Sequence, residues 1–190
     1  MPKLNLDNIT AADVASEPRG FVKLPAGGYV VKIVDVDPQP DREYVWLVFD
    51  IAEGEHKGYY SDAFGISHPN SHRVLVSWKP TALPMLKGRL KLIEACNPGF
   101  DAVAAFEADK WELFCGRVFG LVAGEEEYES NTGETRTRVD WFHAKWKTLD
   151  SIAAEDYIVP QLRTLDGSDA MPRVTERAVH VYDDDDIPFE

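Results

Sequence analysis

Between residues 43 and 52 the apolar side chains Val45, Leu47, Phe49 and Ile51 take every second position. Between 83 and 96 the spacing changes to three and four, through Leu83, Leu86, Leu90 and Ile93. A period of two sets a stripe on one face of a β-strand, and a period near 3.6 sets one on a helix. Val- and Ile-rich stretches recur on both sides of the helical stripe, so one helix interrupts a run of strands. The expected strands cover 29–36, 43–52, 58–64, 115–123 and 136–147, with the main helix at 83–96 and a short one at 101–108. Turn chemistry separates them. "DPQPD" carries two prolines that fix φ and remove donors. Pro84 suits a first helical turn, and "NPG" after Cys96 stops the helix.

Five strands with a helix between the third and fourth is the connectivity of an OB-fold barrel. The fold class expected is therefore mainly β with one or two helices, an OB-fold-like barrel and a disordered acidic C-terminal tail. Other five-stranded α+β sheets share that order. The same pass divides the chain into a loose arm (1–20), an OB-fold-like domain (21–150), a linker (151–182) and an acidic tip (183–190). A chain of 190 residues is long enough to bury a real core. No stretch approaches the roughly 20 apolar residues of a membrane span. The first residues lack the basic and apolar regions of a secretory signal. Two cysteines, Cys96 and Cys115, fit a reduced cytoplasmic protein rather than a disulfide framework.

The net charge is −13, which taken as a sum argues against a phosphate-binding protein. Its distribution argues otherwise. Residues 183–190 hold five acids and no base, and "GEEEYE" adds four more, whereas residues 63–93 contain no acid at all. That acid-free segment holds Arg73, Lys79, Lys87, Arg89 and Lys91. A second basic run, "TRTRVDWFHAKWKT", holds Arg136, Arg138, Lys145 and Lys147. Proteins that bind single-stranded nucleic acid combine a basic groove with aromatic platforms. The side chains in that pattern are Lys32, Tyr44, Trp46, Tyr60, Arg73, Trp78, Lys79, Arg136, Arg138, Trp141 and Lys145. Tyr44 and Trp46 lie opposite the aliphatic face of the second strand, where an OB-fold meets its ligand or where a second small cluster forms under the loops. At least one of Trp141 and Trp146 is expected in the core.

The chain ends "DDDDIPFE". The segment resembles the acidic C-terminal tip of bacterial single-stranded DNA-binding proteins, an aspartate run followed by Ile-Pro-Phe. The resemblance implies that Asp183, Asp184, Asp185 and Asp186 form the acidic run and that Ile187, Pro188 and Phe189 form the apolar anchor. In that family the tip recruits replication, recombination and repair proteins. Here Glu190 follows the Phe, which displaces the terminal carboxylate by one residue. The body, from "LPAGGYVVKIVDV" to "GEEEYESNTGETRTRV", is similar to small phage and prophage proteins labelled as single-stranded DNA-binding. That implies a non-sequence-specific binder of single-stranded DNA acting in phage replication or recombination, in the host cytoplasm, with homo-oligomerisation left open.

No enzyme is implied: the sequence contains no P-loop, nucleophile elbow or dinucleotide fingerprint. No cofactor or metal is expected. His68 and His72 lie in a Pro-containing loop, far from the cysteines. The three glutamates 125–127 are adjacent on a strand and do not converge on one ion. The competing reading is an acidic protein-interaction module or DNA mimic, which would spread its acids over the folded body.

Overall fold

The computed structural model describes residues 23–61, 70–130 and 132–165. Among them are five strands: β1 (Gly27–Gln39), β2 (Tyr44–Ile51), β3 (Arg73–Ser77), β4 (Val118–Glu129) and β5 (Thr135–Lys147). They form one antiparallel sheet in the order β3-β2-β1-β4-β5. β1 serves both halves of it: Gly27–Lys32 pair with β4, and Val31–Gln39 pair with β2. The register shifts between Ile33 and Asp35. A bulge there bends and twists the strand, so β1 can turn from one flank of the sheet to the other. The outer strands β3 and β5 then come into contact. The result is a nearly closed, five-stranded OB-fold-like barrel.

Helix α1 (Leu83–Cys96) lies between β3 and β4 in sequence and turns Leu86, Leu90, Ile93 and Cys96 into the barrel. Asn97 fastens its end: Nδ2 donates to the carbonyls of Ile93 (2.7 Å) and Val118 (2.8 Å), and Oδ1 accepts from Val118 N (3.0 Å). Helix α2 (Ala102–Glu107) is capped by Asp101, whose side chain accepts from Ala104 N. The alternation along β2 reads out directly, since Val45, Leu47, Phe49 and Ile51 are all buried with Ile33, Phe114, Phe119 and Leu121.

Three expectations are corrected. The third strand does not begin at 58: residues 58–61 are turns, 62–64 lie outside the described residues, and the next described strand is Arg73–Ser77. Residues 53–61 form turns, because local acceptors satisfy their donors. Gly58 N bonds Ile51 O, and the buried Asp50 carboxylate accepts from Tyr60 N and the Ser61 hydroxyl. The "DPQPD" segment breaks the chain later than expected: β1 runs through Pro38 to Gln39, and the break is the 3-10 turn at Pro40–Arg42. Beyond Ile33, which still bonds Gly116 and Arg117, the ladder of β1 is with β2, and a free edge tolerates proline.

The third correction concerns the linker expected from 151. Its first part is folded onto the barrel. Helix α3 (Leu149–Ala153) is capped by the Thr148 side chain, which accepts from Ser151 N. The chain then runs to Leu165 along β4, where Arg163 N donates to Glu125 O and Arg163 O accepts from Glu127 N. Glycines make room for this strap. A Cβ on Gly28 would lie 2.5 Å from the Tyr157 ring, and one on Gly124 would lie 2.7 Å from the Pro160 carbonyl. The arm 1–20, the remainder of the linker and the acidic tip lie outside the described residues.

Candidate nucleic-acid interface

Alternation sends Tyr44, Trp46 and Val48 to the outside of β2 and Arg73, Leu75 and Ser77 to the outside of β3. Cross-strand pairing sets Trp46 opposite Leu75 and Val48 opposite Arg73. The Arg73 guanidinium lies over the Trp46 ring, 4.1 Å from its centroid. Tyr44 meets Trp46 edge to face at 5.6 Å. Arg42 Nη1 donates to the Tyr44 hydroxyl, which holds the guanidinium above its ordinary pKa. Lys79 is exposed just beyond β3. These contacts bring Tyr44, Trp46 and Arg73 together on the outward β2–β3 face, and Lys79 follows Ser77, the β3 partner of Tyr44. Lys32 is exposed further along β1, with Asp50 as its β2 partner.

Other expected contacts are placed elsewhere. Tyr60 and Trp141 are buried, and Trp141 Nε1 donates to the Tyr60 hydroxyl at 2.7 Å. Tyr60 also stacks on the buried His72, with centroids 4.5 Å apart. Both rings are therefore core and offer no face to a base; burial pushes the Tyr60 hydroxyl above its ordinary pKa. Trp146 stacks on buried Phe119 and packs against the core as well. Trp78 is half-buried, with Trp111 stacked at 6.1 Å and Phe106 at its edge.

The arginines of β5 are not bare. Arg136 pairs with Glu134 and Arg138 with Glu126, each at 2.7 Å, and Arg138 also lies over Tyr128. Exposed pairs of this kind contribute little, and a phosphate can replace the carboxylate. Lys145 is exposed, opposite Val122 in β4. Glu125 turns away from Glu126 to bind Lys23 at 2.6 Å, so adjacent carboxylates on β4 do diverge. Among the described residues no three His, Cys, Asp or Glu side chains are grouped to hold a metal. No helix among them is long and apolar enough to cross a membrane.

The packing roles of two residues escape sequence reasoning. Arg89 Nη1 donates to the Leu75 carbonyl at 2.6 Å, and its guanidinium lies over Trp146 at 4.9 Å. Burial lowers its pKa. Its position three after Leu86, on the flank of the apolar stripe, is the available signal. Trp111 carries none, since its partner Trp78 is remote in sequence. No protein-family model matches the chain, and no curated protein matches its sequence.

Proposed function

We propose that this protein binds single-stranded DNA without strong sequence preference, in phage-type DNA replication or recombination. The supporting observation is the Tyr44–Trp46–Arg73 platform on the outward face of an OB-fold-like barrel. An indole half-exposed on a strand can stack a base once the guanidinium lying over its face swings to the adjoining phosphate. The reading assigns no reaction, cofactor or metal. The sequence of the tip, Asp183–Phe189, supports recruitment of replication, recombination or repair enzymes, with Phe189 entering a pocket and the aspartates steering approach.

Fluorescence anisotropy with labelled single-stranded and duplex oligonucleotides at two salt concentrations tests the proposal. Single strands should bind more tightly than duplex, and affinity should fall with salt as counterions are released. Absence of binding at low salt, or equal binding of duplex, would leave the acidic interaction module or DNA mimic as the better reading.

A further inference from the structure

The outward face that carries the aromatic platform also carries carboxylates. Asp37 is the β1 partner of Trp46, Gln39 is the partner of Tyr44, and Asp35 is the partner of Val48. Opposite residues on one face hold their Cβ atoms about 4.5–5.5 Å apart, so Asp37 and Gln39 flank the two rings. Gln39 Nε2 donates to Asp37 Oδ1 at 2.7 Å, which joins the carboxylate and the amide into one polar edge. No cation pairs with Asp35 or Asp37 among the described residues. On the β3 side, Arg73 reaches over the Trp46 ring, and Lys79 follows past the end of the strand.

This asymmetry orients a polyanion. Phosphates are repelled by Asp35 and Asp37 and attracted by Arg73 and Lys79. A DNA strand crossing Trp46 therefore carries its phosphates on the β3 side and turns its base edges toward β1. We infer that Asp37, held by Gln39, reads the edge of the base stacked on Trp46 and favours bases with an exocyclic amino group over thymine. The inference rests on the single-stranded DNA reading and adds a modest base preference to it. An ionised carboxylate only accepts hydrogen bonds. Cytosine N4 and adenine N6 donate, whereas the matching group of thymine is the O4 carbonyl, an acceptor that the carboxylate repels.

The test is anisotropy of the full chain with labelled oligo(dC) and oligo(dT) of equal length, at low salt and neutral pH. Equal length cancels the phosphate contribution. Oligo(dC) should bind about tenfold more tightly, within the range of one good base-edge contact. Asp37→Asn should bring the ratio close to one, chiefly by tightening oligo(dT). Gln39→Ala should lower the ratio in the same direction. Asp35→Asn removes the same charge opposite Val48 and should leave the ratio unchanged. Equal binding of the two homopolymers by the unaltered protein, or a ratio untouched by Asp37→Asn, overturns the base preference and leaves strand binding standing. An equal collapse in Asp35→Asn also overturns it, because charge alone would then be the cause. Failure of both homopolymers to bind overturns the preference together with the function it rests on.

Discussion

Trp46 and Trp141 show how one residue type takes opposite roles according to its surroundings. Trp46 shares its ring face with a guanidinium on the outside of the sheet, and Trp141 donates to a hydroxyl within the core. Trp46→Ala should therefore weaken single-stranded DNA binding by about 1–3 kcal/mol while leaving the thermal melt close to that of the parent. Trp141→Phe should do the reverse. It removes the indole N–H that the buried Tyr60 hydroxyl accepts from, at a cost of about 0.5–1.5 kcal/mol in stability, with DNA binding retained while the protein is folded. A melt unaffected by Trp141→Phe, or binding unaffected by Trp46→Ala, would reassign either residue. Alkaline titration addresses the same interior. Burial, reinforced by Tyr157 and Tyr59, raises the Tyr29 hydroxyl from its ordinary value near 10 to about 12. The stability from keeping this group neutral is complete below pH 10 and is lost as pH rises through 12. Tyrosinate absorbance should thus lag behind that of free tyrosine and then rise together with loss of the circular dichroism signal. Smooth titration at the ordinary value in the folded protein would contradict the burial.

The strap from Leu149 to Leu165 is the element that local pattern conceals. Its apolar residues lack a period, so it reads as linker, yet it continues the β4 ladder through Arg163. The sheet face accepts it because Gly28 and Gly124 present no side chain. At Gly124 the added Cβ would meet a backbone carbonyl that has no rotamer to yield. Gly124→Ala should displace the strap at a cost of about 1–3 kcal/mol, seen as faster tryptic cleavage after Arg163. Gly27→Ala is the matched comparison. Its Cβ would meet nothing within 4 Å, so cleavage should stay at the parent rate. Equal cleavage of both variants would show that the strap is not held by close approach to the sheet.

For the whole molecule, charge and connectivity govern separate tasks. Deleting residues 183–190 removes five acids and the Ile-Pro-Phe anchor. Capture of a replication or recombination enzyme should be lost, with single-stranded DNA binding intact or tighter because fewer negative charges compete for the basic surface. Unchanged capture by the truncated chain, measured by surface-immobilised pull-down, would make the tip's resemblance accidental. The class and order of the elements were legible from residues alone. Val45, Leu47, Phe49 and Ile51 announce a strand, and Leu86, Leu90 and Ile93 announce a helix, because a period is set by neighbours along the chain. The platform was half legible: alternation puts Tyr44 and Trp46 on the outer face but does not show that Arg73 covers the indole. Tertiary structure alone decided that Tyr60 and Trp141 are core, that β3 begins at Arg73, and that Asp37 stands beside Trp46. Each depends on strand register and barrel closure. The Tyr60–Trp141 hydrogen bond joins residues 81 apart, and no local pattern carries a contact at that separation.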